Sequence, residues 1–135
     1  MKRLENKTVI ITGAANGIGK GISNIFGSEN ANLILVDIDE KSGKELSDQY
    51  CKKGYKSKFI KADVSSKSDM DKVARTTLET YNAIDIVISN AGIFPTTQLK
   101  DIQQDQWDKV MNINLKGAFL LIQACMPQMI KQKRG

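Results

Sequence analysis

The stretch VIITGAANGIG, Val9 to Gly19, runs from a β-branched apolar segment straight into a turn with three glycines in seven positions. Val, Ile and Thr favour an extended chain. Glycine lets the backbone turn sharply and approach another group with no Cβ in the way. After the turn, Ile18, Ile22, Ile25 and Phe26 recur at helical spacing and predict one apolar face of a helix. In a strand–turn–helix of this kind, free N–H groups and the positive end of the helix dipole can receive a phosphate. On this reading Gly13 takes the chain out of the strand, Gly17 leaves room for a pyrophosphate and Gly19 lets the helix pack close. Asn16 and Ile18 are counted with the same turn. A P-loop is excluded by spacing. Aligning Gly19-Lys20 with its Gly-Lys puts Ala14 where the first glycine belongs, and Gly21 where Ser or Thr must hold magnesium.

Three further runs, NLILVD (Asn32–Asp37), KSKFIK (Lys56–Lys61) and IDIVIS (Ile84–Ser89), read as strands beside KTVIIT (Lys7–Thr12). Most are almost continuously apolar, as strands of a parallel sheet covered on both faces should be. Between them lie predicted helices. Asp39 to Lys53 is polar and closed by Gly54. Another carries Met70, Val73, Ala74, Thr77, Leu78 and Tyr81 on one face, with Ser66 and Asp69 in capping-box spacing. A last long helix is predicted from Gln103 to Lys131, carrying Trp107, Val110, Ile113, Phe119 and Leu121, with Pro127 expected to bend or loosen it. Strands and helices alternate. Right-handed crossovers then predict a Rossmann-like α/β fold, a doubly wound parallel sheet in the order 3-2-1-4, as one domain over residues 1–135.

Composition narrows the chemistry. Histidine is absent from the 135 residues, which removes Ser-His-Asp catalysis and most zinc arrangements, and no metal site is expected. Cys51 and Cys125 are far apart and predict reduced, structural cysteines. The net charge is +5, but the lysines are dispersed without interleaved aromatics, and the basic tail at Lys131 to Arg134 reads as a solvated helix end. No nucleic-acid or membrane partner is expected. The charged N-terminus is no signal peptide, and a cytoplasmic location is expected.

Asp37 closes the second strand, where a carboxylate can accept both ribose hydroxyls of an adenosine. Its charge opposes a 2′-phosphate, no Arg or Lys occupies positions 38 or 39, and Asp39 adds further negative charge, so NAD is expected over NADP. Alone, Asp37 could equally be a helix cap.

TGAANGIG (Thr12–Gly19), Asp63-Val64, SNAG (Ser89–Gly92) and WDKVMNINLKGAF (Trp107–Phe119) together resemble the short-chain dehydrogenase/reductase family, over the whole chain. The resemblance implies that Asp63 bonds the adenine amino group while Val64 packs on the ring. It implies that Asn90, Ala91 and Gly92 support the sheet and touch the cofactor ribose, with Thr12 bonding across to them. Ser89 departs mildly from the family's usual asparagine. Asn114, in Asn114-Leu115-Lys116-Gly117, matches the family's catalytic asparagine, which sits in a distorted helix whose carbonyl holds a water; Asn112 falls outside that spacing.

The family transfers a hydride between NAD(H) and an alcohol or ketone, using a serine and a tyrosine–lysine pair in Y-x-x-x-K. Tyr50, Tyr55 and Tyr81 are followed four positions later by Gly54, Phe59 and Asp85, so none begins that motif. The chain therefore resembles the cofactor-binding N-terminal part of such an enzyme. It is expected to be inactive and only marginally stable alone, with its fourth strand an unprotected edge; a full-length form is expected to be a homo-oligomer. A non-catalytic dinucleotide-binding module is the alternative. The loop after Gly92, with Ile93, Phe94 and Pro95, is the one substrate-side segment, either an apolar wall or ordinary packing.

Overall fold

A computed structural model describes residues 2–135. Strands β1 (Thr8–Thr12), β2 (Asn32–Asp37), β3 (Lys56–Lys61) and β4 (Ile86–Ile88) form one parallel sheet in the order β3-β2-β1-β4. Helices α1 (Gly17–Ser28), α2 (Glu40–Lys52), α3 (Lys67–Tyr81), α4 (Gln104–Met111) and α5 (Gly117–Gln132) complete the fold. The period of two along each strand divides the core. Ile10, Ile34, Val36 and Ile60 face Met70, Val73, Leu120, Leu121 and Cys125 on one side. Val9, Ile11, Leu33 and Leu35 face Leu46, Tyr50, Ile22 and Phe26 on the other. This is the doubly wound arrangement that the apolar runs predict.

Close contact governs how the helices sit. In α1 the buried residues are Gly19, Ser23 and Gly27, and Ile22 and Phe26 pack beside them. Ile18 and Ile25, assigned to the same face from spacing, are 75% and 56% exposed. Small residues let α1 lie close against the glycine turn at Gly19, the Tyr50 hydroxyl at Ser23 and the Tyr55 ring at Gly27. In α2, a Cβ on Gly43 would run into the Phe59 ring of β3. Gly54 (φ +85°) ends α2 as expected: its N–H reaches Cys51 O at 2.9 Å, and Tyr55 N–H reaches Tyr50 O at 3.0 Å.

The long helix expected from 103 to 131 is instead broken. A π-helical turn, Asn112–Lys116, separates α4 from α5, with Gly117 N–H bonded to Asn112 O. Its extra residue resets the helical phase. The apolar residues placed on one face therefore split: Leu121 is buried and Ile113 half-buried, while Trp107 and Phe119 are exposed. Helix α5 continues through Pro127 to Gln132. Position 127 and the carbonyl-bearing Gln123 one turn before it are both exposed, so the bond that proline cannot make is lost to solvent.

β4 is shorter than Ile84–Ser89 because side chains replace its ladder at both ends. Gln132 pairs with the Ile84 backbone. The Asp85 carboxylate accepts the Thr8 N–H at 3.0 Å, and Arg134 Nε donates to it at 2.8 Å. Arg134, expected in a solvated tail, thus anchors the segment after α5 to the sheet. Burial alone would raise the Asp85 pKa, but the Thr8 N–H, Arg134 and Lys7 outweigh it and hold the value below the ordinary 3.8.

Two outcomes are expected. Gly43→Ala should lower unfolding free energy by about 1–3 kcal/mol through overpacking against Phe59. Gly21→Ala, which meets open space among the described residues, should be neutral or stabilise by up to about 1 kcal/mol; urea denaturation of the pair checks the contrast. Because the folded pKa of Asp85 is depressed, its contribution is complete above pH 3.8 and is lost as pH falls through the lower folded value. Asp85→Asn should therefore cost about 1–3 kcal/mol near neutral pH and flatten the acid side of the stability–pH curve.

Candidate functional site

A crevice of about 540 Å³ opens along the carboxyl ends of the strands, where ligands bind in open α/β sheets. Its floor is the glycine turn. Gly13 and Gly17 both hold positive φ, +62° and +53°. A Cβ on Gly13 would come within 2.9 Å of Ala91 Cα, so glycine is required for the turn to lie against the β4 exit. At Gly17 a Cβ would meet open space among the described residues, on the crevice side. Gly19 does not line the crevice. A Cβ there would collide with the Gly13 carbonyl, so this glycine serves the packing of α1 on its own turn rather than on the sheet.

Thr12 joins the turn to the opposite wall. Its Oγ1 accepts the N–H groups of Asn90 and Ala91, each at 3.1 Å, and donates to Ile88 O at 3.4 Å. Asn90 Nδ2 returns two bonds, to Thr12 O at 3.0 Å and Gly13 O at 3.1 Å. The cross-strand link expected of Thr12 is present.

Asp37 is not a helix cap. Its Oδ2 accepts Ala15 N–H and its Oδ1 accepts Asp39 N–H, both at 3.0 Å, which pins a half-exposed carboxylate at the crevice rim against the glycine turn. The cap of α2 is Asp39, which accepts Ser42 N–H at 3.0 Å; bonding to Ser42 lowers its pKa. Glu40 accepts Lys44 Nζ at 2.6 Å and Lys61 Nζ at 3.1 Å, and these two ammonium groups pull its pKa down to about 2.

Asp63 and Val64 line the crevice beyond β3. Ser66 caps α3 by accepting Asp69 N–H at 3.3 Å, but the Asp69 carboxylate reaches past Ser66 to Asp63 N–H at 2.8 Å, rather than completing a capping box. Val64 is also the floor for α5, since a Cβ on Gly117 would stand 2.8 Å from Val64 Cγ2.

Asn114 stands in the π turn, outside the crevice lining. Its side chain makes a reciprocal pair with Ile93, Nδ2 to Ile93 O and Oδ1 from Ile93 N, both 2.9 Å. It therefore holds the loop that leaves β4. Asn16, Ile18, Asn90, Ala91 and Gly92 line the crevice. Ile38, Ala62, Lys109 and Ile113 line it too and were not anticipated; only the i, i+4 spacing of Lys109 and Ile113 could have signalled the last two. Ile93 faces both this crevice and a smaller apolar pocket of about 160 Å³ beside Phe94, Pro95 and Trp107.

A glycine turn at the switch point of a 3-2-1-4 sheet, facing an acidic strand end, defines a doubly wound α/β protein with a ligand crevice. The family model for short chain dehydrogenase matches residues 7–135, and the chain belongs to that family. It is 37% identical over 135 residues to oxidoreductase UcpA of Salmonella typhimurium, covering 100% of this chain and 51% of that protein. It is 36% identical over 128 residues to diacetyl reductase [(S)-acetoin forming] of Staphylococcus epidermidis, covering 95% and 50%. The crystal structure of gox2181 superposes with a TM-score of 0.95 at 29% identity, over 98% of this chain and 52% of that one. A glucose/ribitol dehydrogenase-type member from Brucella melitensis gives 0.90 at 32%, over 95% and 55%. The chain spans about half the length of the curated relatives it matches. No helix among the described residues is long and apolar enough to cross a membrane.

Thr12→Val removes the acceptor of two N–H groups. It is expected to cost about 1–3 kcal/mol in urea denaturation, whereas Thr12→Ser should retain most of the stability.

Proposed function

We propose that this chain is the cofactor-binding part of an oxidoreductase that transfers a hydride between NAD(H) and an alcohol or ketone. The observation that carries the reading is the Asp37 carboxylate, held at the crevice rim by two backbone N–H groups that leave lone pairs free for a ribose diol. The open space at Gly17 fits a pyrophosphate against the N-terminus of α1, where free N–H groups favour an anion. Asp63 would receive the adenine amino group, and Val64 and Ile113 the ring faces. Asn90, Ala91 and Gly92 would border the ribose on the β4 side. When bound, the nicotinamide supplies the hydride chemistry.

Asn114 is assigned a role in proton relay. It lies within the π turn, where the Gly117 N–H reaches Asn112 O, and its side chain is committed to Ile93. The likeness to a diacetyl reductase makes small ketones the first substrates to assay.

Fluorescence titration tests the reading. NADH should bind saturably, and Asp37→Ala should weaken it by about tenfold, the loss expected when a buried or charged hydrogen-bond partner to ligand hydroxyls is removed. Absence of saturable binding in a folded sample would remove the proposal.

A further inference from the structure

The surroundings of Asp37 hold an arrangement that its own charge does not explain. The parallel register pairs Asp37 with Lys61 on the neighbouring strand. Counting by twos from Leu35 and Phe59, which both pack on the α2 side of the sheet, puts Asp37 and Lys61 on that same face. Lys44 lies one helical turn from Glu40 in α2, which begins three residues after Asp37. Two lysine ammonium groups thus stand near the strand end whose acid faces the crevice. A lysine ammonium on its four-carbon stem is well suited to reach a phosphate there.

Both cations are withheld. The Glu40 carboxylate takes Lys44 on Oε1 and Lys61 on Oε2, one oxygen for each. The first turn of α2 is likewise occupied, since Asp39 holds Ser42 N–H and lies against the charge of Lys41. The pairs are solvent-exposed, with 44–64% of each side chain accessible, so they add little to stability. Their consequence is where they keep the charges.

We propose that Glu40 is a specificity-determining residue: by holding Lys44 and Lys61 on its own carboxylate, it denies them to a phosphate on the adenosine 2′-oxygen and makes the crevice discriminate against NADP(H). The inference rests on the reading of the crevice as a dinucleotide site. It adds to the repulsion from Asp37 a second acid, which acts by sequestering the cations rather than by contact with the cofactor.

The test measures dissociation constants of NADH and NADPH by fluorescence titration of the full-length protein at low ionic strength. Glu40→Gln keeps the shape and removes the charge. The NADPH-to-NADH ratio of dissociation constants should fall by about threefold or more, because two freed ammonium groups then face a doubly charged phosphate. Adding Lys44→Met and Lys61→Met to Glu40→Gln should restore the original ratio, and raising the salt should shrink the gain. An unchanged ratio in Glu40→Gln, with NADH still binding, overturns the proposal. If the unaltered protein binds no NADH, the reading of the crevice itself fails.

Discussion

The hydroxyl of Thr12 sits where β1 and β4 part company. Two parallel strands that diverge open a crevice between them, but each strand end then loses its ladder partner. Buried amides without partners are costly. Thr12 Oγ1 meets that need by accepting two N–H groups from Asn90 and Ala91. The Asn90 amide answers by bonding the carbonyls of Thr12 and Gly13. The turn and the β4 exit are therefore one hydrogen-bonded unit. Gly13 must lack a Cβ to lie against Ala91, and Gly19 must lack one to lie against Gly13. The position of α1, and with it the free N–H groups at its start, follows from this chain of contacts.

The rest of the rim is built on the same principle, with side chains replacing absent ladders. Asp37 holds Ala15, Asp69 holds Asp63, and Asn114 holds Ile93. Each uses polar atoms to fix a neighbouring backbone segment. Only those with lone pairs to spare, Asp37 foremost, also face the crevice. A residue's place in a motif therefore does not fix its place in the site: Gly19 and Asn114 belong to the motifs and lie outside the crevice lining.

Electrostatics at the rim are arranged by pairing rather than by composition. The chain carries +5 overall, yet the strand end at Asp37 is bordered by Asp39 and Glu40, each engaged by a specific donor. At the far end of the sheet, Asp85 gathers Thr8, Lys7 and Arg134 and secures both the start of β1 and the segment after α5. The formal charge predicts neither arrangement.

Much was legible in the linear order of residues, because it depends on local rules. Continuous apolar runs predict strands buried on both faces, alternation with helices predicts a parallel sheet, and right-handed crossovers predict the order 3-2-1-4. Three glycines after a strand predict the turn, and the motifs point to Asp37, Asp63 and the Asn90–Gly92 segment. Which face of α1 is buried, where the last helix breaks and how short β4 becomes were decided only by tertiary structure. In each case a contact outside the segment overrides spacing: Asn90 against Gly19 and the Tyr55 ring against Gly27, the Asn114 pair with Ile93, and the side chains of Asp85, Gln132 and Thr12. Periodicity records what one segment prefers. It carries no information on how near the next element will come, or on which of two carboxylates two residues apart, Asp37 and Asp39, will cap the helix and which will hold the glycine turn.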